Sequence, residues 1–210
     1  MRVQSIVQAL CAAAALFAGT AEAAPRPVAP PDPTIAKSLK RFPGLARLSC
    51  SGIASLSLPH ARVIFAALNP AGGFAVPGTT VVLPGLPEFC RVVVLSTPTP
   101  DSKITIEVWV PTDSYRARYL QVGNGGFSGS VVYLALADGV QRGYATASTD
   151  DGSQAAGAGS FAMGHPEKVV DYGYRALKET SDTSRAIIRA LKGADPGRAY
   201  FHGCSNGGRQ

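Results

Sequence analysis

Near its C-terminal end the chain carries Gly203-Cys204-Ser205-Asn206-Gly207. A serine flanked two residues away on each side by glycine marks a sharp strand-to-helix turn, on which a nucleophilic hydroxyl is held exposed. The chemistry such a turn serves is acyl transfer. Serine is a weak nucleophile until a base takes its proton, and the base in turn needs a third group to fix its orientation. The three histidines, His60, His165 and His202, all precede Ser205. In the chain order nucleophile, acid, histidine, none of them is the base, and His202 lies too close to Ser205, on the strand that feeds the turn. Gln210 comes five residues after Ser205. The expectation is therefore an N-terminal fragment of a longer enzyme, with little turnover alone, because only binding and oxyanion stabilisation remain.

A second constellation, Gly123-Asn124-Gly125-Gly126-Phe127, directly follows an apolar strand. Acyl transfer builds negative charge on the carbonyl oxygen, and prearranged backbone N–H groups stabilise it. In α/β-hydrolases one donor belongs to the residue after the nucleophile, here Asn206, and the other to a glycine-rich loop after an earlier strand, a role that suits Gly125 or Gly126. A nucleotide-binding use fails on spacing and on the missing Lys-Ser or Lys-Thr pair. A plain tight turn remains the alternative use of these glycines. Asp150 and Asp151 end another strand, where they either line a pocket or cap a turn. His165 before Pro166 suits a helix start, His60 has no role, and no residues have metal-ligand spacing.

The elements that must position these residues read as follows. From Ile64 to Val110 the pattern is strand-like, with strands over Thr79 to Leu83 and Cys90 to Leu95. Ile104, Ile106, Val108 and Val110 then alternate with Lys103, Thr105, Glu107 and Trp109. Arg118 to Val122, Tyr144 to Ser148 and Ala199 to His202 are further strands. Val131 to Val140 is a helix, and a longer one starts at Pro166 and stops at Gly193. Strand, helix, strand, helix, strand, elbow predicts a parallel sheet with helices on its faces. The fold class is α/β: an α/β-hydrolase-type core, cut at the nucleophile elbow, with a β-rich N-terminal part.

With 46% hydrophobic and 16% charged residues in 210, the chain has the composition of a globular protein that buries a core. Arg2, the apolar stretch from Ile6 to Phe17 and Ala21-Glu22-Ala23 read as a secretory signal over residues 1–23, followed by a proline-rich leader over 24–45 and a catalytic-domain part over 46–210. The protein is expected to be secreted or periplasmic, with no membrane association once the signal is cleaved. Removing Arg2 and Glu22 leaves the net charge at +6. That charge is scattered, so nucleic acid is not an expected partner. Three cysteines remain after processing, an odd number for an oxidising compartment. Cys50 and Cys90 can close a loop, which leaves Cys204 either for a partner beyond Gln210 or as a small thiol buried under the turn.

Tyr200-Phe201-His202-Gly203-Cys204-Ser205-Asn206-Gly207-Gly208-Arg209-Gln210 resembles the nucleophile motif of the tannase and feruloyl esterase family, secreted serine esterases. Upstream blocks agree in order: Phe89 to Val92, Ile106 to Pro111, Val122 to Phe127, Ala147 to Asp150 and Gly164 to Val169. The resemblance covers about Cys50 to Gln210. It implies that Ser205 is the nucleophile of an aryl or phenolic ester hydrolase with a small aromatic ester as substrate, and that Cys204 bridges to a cysteine beside the catalytic histidine. It also implies a lid domain after the nucleophile, often with a structural calcium ion; no cofactor is expected in this chain. Two departures, Asp151-Gly152-Ser153 in place of Thr-Gly-His and the lack of Trp-Asn-Gly in Ser114 to Arg118, bear on the pocket's specificity. A non-catalytic exported binding module and a serine peptidase on the same fold are the competing functions. The oligomeric state is not legible.

Overall fold

The computed structural model describes residues 47–127, 129–154 and 158–210. The signal read over 1–23 and the leader read over 24–45 lie outside the described residues. Eight strands run in chain order: β1 (Ala61–Asn69), β2 (Gly72–Ala75), β3 (Val82–Leu86), β4 (Phe89–Ser96), β5 (Ile104–Pro111), β6 (Arg118–Val122), β7 (Tyr144–Thr149) and β8 (Arg198–His202). Six of them form one sheet in the order β1-β4-β5-β7-β6-β8, and β2 pairs with β3 separately. The β1, β4, β5 and β7 pairings are antiparallel, whereas β6 lies parallel to β7 on one side and to β8 on the other. The fold is of the α/β-hydrolase type.

Helices cover both faces. α1 (Tyr133–Gln141) connects β6 to β7. The connection from β7 to β8 holds α2 (Pro166–Val170), a π-turn over Asp171–Arg175 and α3 (Ala176–Lys192). Side chains on β5 separate by parity, as a pleated strand requires. Ile104, Ile106, Val108 and Val110 join Ile187 and Ile188 of α3, while Trp109 joins Leu136 and Val140 of α1 with Phe74 and Leu83 of the β2–β3 pair. A fully buried Ile or Val contributes about 1.5–3 kcal/mol relative to exposure. Gly193, at φ 72, accepts the left-handed conformation that ends α3, and its N–H bonds the Arg189 carbonyl at 2.8 Å.

The helices and parallel strands lie where the sequence predicts, within one or two residues. Strand β3 does not: it begins at Val82 rather than Thr79. The Thr79 hydroxyl bonds the Val76 carbonyl and accepts the Val81 N–H, so Thr79 builds a turn instead. The long helix read from Pro166 to Gly193 is interrupted by the π-turn, one extra residue that a periodic apolar pattern does not reveal. Cys50 and Cys90 form a disulfide. It sits beside Val110, at the opposite end of the strands from the loops after β6, β7 and β8.

Candidate functional site

Three parallel strands run in one direction, so the loops that follow them open on one edge: Gly123 to Gly126 after β6, Asp150 and Asp151 after β7, and Gly203 to Gly207 after β8. That edge is where ligands approach a parallel sheet. Ser205 tops the turn with φ 57 and ψ −117, a conformation that side chains rarely adopt, and heads the short helix α4 (Asn206–Arg209). The turn is tight enough to exclude side chains. A Cβ on Gly203 would stand 2.4 Å from the Gly207 carbonyl oxygen, and one on Gly123 would stand 2.6 Å from the Gly207 Cα. The glycine-rich loop and the elbow therefore touch backbone to backbone.

A buried polar cluster ties the two loops together. The Asn206 side-chain amide donates to Asn124 Oδ1 at 2.8 Å, and the Asn124 amide donates to the Thr149 carbonyl at 3.1 Å. Gln210 accepts the Asn124 backbone N–H at 3.1 Å, and its own amide donates to Asn124 Oδ1 and Asp151 Oδ2. Arg209 donates to Asn206 Oδ1 at 2.7 Å and lies over the Tyr172 ring, 4.5 Å from its centroid. The Tyr172 hydroxyl stands 2.8 Å from the Gly126 carbonyl and 2.9 Å from Asn206 Oδ1. The π-turn that carries Tyr172 thus reaches the glycine loop and the elbow at once. Phe127 and Phe161 pack against Tyr172 at 5.3 and 5.5 Å between ring centroids.

Asp151 is buried at 1% exposure, and desolvation pushes its carboxyl up to about 6 from an ordinary 3.8. Asp150 behaves differently. Its carboxylate accepts the Thr105 N–H at 2.8 Å and the Gly152 N–H at 2.9 Å, which is the turn-capping arrangement; burial still raises its pKa above the usual range.

Of the residues read from the sequence, Ser205, Asn206, Gly125 and Gly126 come together at this edge. Ser205, Gly125 and Gly126 are exposed, whereas Asn206 is buried. A Cβ would meet nothing within 4 Å at Gly125 or at Gly126, so only Gly126, at φ 55, is held to glycine by its own geometry. Cys204 is exposed beside Ser205 rather than packed under the turn. Cys50 and Cys90 stand apart from the site. His165 engages Asp101 at 2.7 Å, and the His60 carbonyl accepts the Thr97 N–H at 2.7 Å. Among the described residues no three His, Cys, Asp or Glu groups gather to hold a metal ion, so no residue here is assigned to the calcium implied for the lid. The sequence does not single out Tyr172, Arg209 or Gln210. Asn206 and Asp151 were named on other grounds, and Asn124 only as part of the glycine-rich stretch, so the cluster itself was not legible.

Sheet order and two-sided helix cover define an α/β-hydrolase-type fold, in which Ser205 stands strained at the strand-to-helix turn after β8. The profile of the family described as Tannase and feruloyl esterase matches residues 90–210, and the chain belongs to that family. An uncharacterized esterase of Xanthomonas campestris pv. campestris is 46% identical over 165 residues, which cover 78% of this chain and 28% of that protein. A probable feruloyl esterase B-1 of Aspergillus fumigatus is 33% identical over 123 residues, 59% of this chain and 23% of the relative. Among solved structures, feruloyl esterase B from Aspergillus oryzae superposes with a TM-score of 0.67 at 29% identity, over 77% of this chain and 33% of that one. The chain thus spans no more than a third of the length of these proteins.

Proposed function

We propose that the protein is an exported serine carboxylic ester hydrolase acting on aryl or phenolic acid esters. The observation that carries this reading is Ser205 at φ 57 and ψ −117, on a turn whose Gly207 presses against the glycine-rich loop. In this reading the Ser205 hydroxyl attacks the ester carbonyl carbon and passes its proton to a histidine. The N–H groups of Asn206 and of Gly125 or Gly126 hold the oxyanion. Collapse of the tetrahedral intermediate expels the alcohol, which takes up that proton, and leaves an acyl group on Ser205. A water then attacks the acyl-enzyme and frees the acid. The histidine, its orienting acid and the lid belong to the part of the protein after Gln210, in keeping with the greater length of the relatives. The Cys50–Cys90 disulfide suits an oxidising compartment and supports export.

The test is hydrolysis of methyl ferulate and methyl gallate by protein expressed from the complete reading frame. Ser205→Ala is expected to lower kcat by at least about 1000-fold. Undiminished hydrolysis by that variant overturns the reading.

A further inference from the structure

The polar cluster beneath the elbow contains a buried carboxylate that the esterase chemistry leaves unused. We propose that Asp151 is a positioning residue, holding Asn206 and the glycine-rich loop in the register that oxyanion binding requires. The proposal rests on the esterase reading above.

Asp151 follows β7, a strand that contributes neither the nucleophile nor an oxyanion donor, so its carboxylate has no part in those steps. Its backbone sits at φ 56, and its N–H bonds the Thr149 hydroxyl at 3.2 Å. The side chain is thereby turned inward between the two loops. Oδ2 accepts from the Gln210 amide and, at 3.5 Å, from the Asn206 amide. Oδ1 is buried and has no hydrogen-bond partner among the described residues. Asn206 opens α4 and Gln210 caps its C-terminal end, Asn124 lies in the glycine-rich loop, and both side-chain amides also bond Asn124 Oδ1. Two amide groups are thus each held between Asn124 and Asp151. Both acceptors are needed to fix the amide planes, and through them the direction of the Asn206 backbone N–H. An ionised carboxylate can only accept, so it suits a position where two donors converge. Burial disfavours that charge and raises its pKa, and the nearby Arg209 offsets part of the penalty. Sub-ångström placement of catalytic groups matters because a displacement of about 1 Å costs on the order of 100-fold in rate.

The experiment uses protein from the complete reading frame, with active sites titrated so that kcat refers to folded enzyme. Asp151→Ala is expected to lower kcat about 10-fold or more while KM stays within about twofold, because the interaction acts on the transition state. Asp151→Asn keeps an acceptor oxygen and is expected to restore kcat to within about threefold of wild type. Gln210→Met removes the facing donor and is expected to lower kcat at least about 10-fold, with little further loss on combination with Asp151→Ala. It carries the test if Asp151→Ala does not fold. Wild-type kcat in Asp151→Ala or Gln210→Met, or an Asn variant as impaired as the Ala variant, overturns the proposal while leaving the esterase reading intact. Ser205→Ala, assayed in parallel, separates the two: activity in that variant defeats the esterase reading, and the role of Asp151 falls with it.

Discussion

Removing the Glu107 carboxylate should destabilise the fold by about 4 kcal/mol. Glu107 lies in the middle of β5 with its side chain 2% exposed, and it accepts four bonds: two from Arg91, at 2.6 and 3.2 Å, one from Trp109 Nε1 at 2.7 Å and one from the Tyr133 hydroxyl at 2.9 Å. These tie β4, β5 and α1 together. Burial works against the Arg91 charge, yet the bonds and charge of Glu107 outweigh it and hold its pKa above the ordinary value. Deleting one partner of a buried ion pair costs about 3–5 kcal/mol. Arg91 keeps 19% exposure and reaches water, which places Glu107→Leu near the low end of that range. The Trp109 indole N–H, on a residue with 0% exposure, loses its only acceptor among the described residues and adds about 1 kcal/mol. Tyr133 is half-buried and can turn its hydroxyl outward. The sum is about 4 kcal/mol, or roughly 10 °C in Tm. Replacing both partners, Arg91→Met with Glu107→Leu, removes the stranded charge and should recover about 2–3 kcal/mol of that loss. Urea unfolding followed by fluorescence measures this directly, since the chain's single tryptophan is Trp109 itself. Strict additivity of the two single variants, within about 0.5 kcal/mol, would refute the reasoning.

Further outcomes are expected elsewhere. Gly203→Ala puts a methyl 2.4 Å from a backbone oxygen that cannot yield, so hydrolysis should fall about 100-fold or more, whereas Gly208→Ala, with open space around its Cβ, should leave it nearly unchanged. Asp151 titrates near 6 in the folded chain against an ordinary 3.8, so the native state holds a proton that the unfolded chain has released. Its contribution to stability therefore declines as pH rises from about 4 to about 6 and levels off above, by about 3 kcal/mol for a shift of about two units. Asp151→Asn should lack that slope, which the difference between wild-type and variant unfolding free energies across the window reads out. Removing the Cys50–Cys90 bridge, with a sequence separation of 40, should cost about 4 kcal/mol in the chain-entropy account, measured as a lower urea midpoint for Cys50→Ser with Cys90→Ser.

The sequence makes the parallel half of the fold readable because each strand there is short, largely apolar and stopped by glycine or aspartate. The helices between them carry a clean three-and-four spacing. The elbow was legible for the same local reason: glycines at fixed offsets are dictated by the turn itself. Glu107 shows where such reasoning stops. Its slot alternates with Ile106 and Val108, and only the cover supplied by α1 and the β2–β3 pair makes that second face dry. Tyr172 and Gln210 were hidden because their side-chain hydrogen-bond partners lie at least 34 and 59 residues away, respectively. No window along the chain contains both ends of such a contact. The π-turn was missed because a one-residue insertion blurs a helical period without abolishing it.

The pairing of β6 with β8 has a consequence for synthesis. Arg118 lies opposite Arg198, and Asn124 bonds Gln210 across 86 residues. A ribosome adding about 5–20 residues per second makes the glycine-rich loop several seconds before the elbow that completes it. Once β7 has been made and paired, β6 has it on one side and still an open edge on the other, with unpaired backbone groups available to any passing strand. The nascent chain is thus most vulnerable to mispairing just before the site can exist, and slowing translation between residues 122 and 198 would lengthen that exposure.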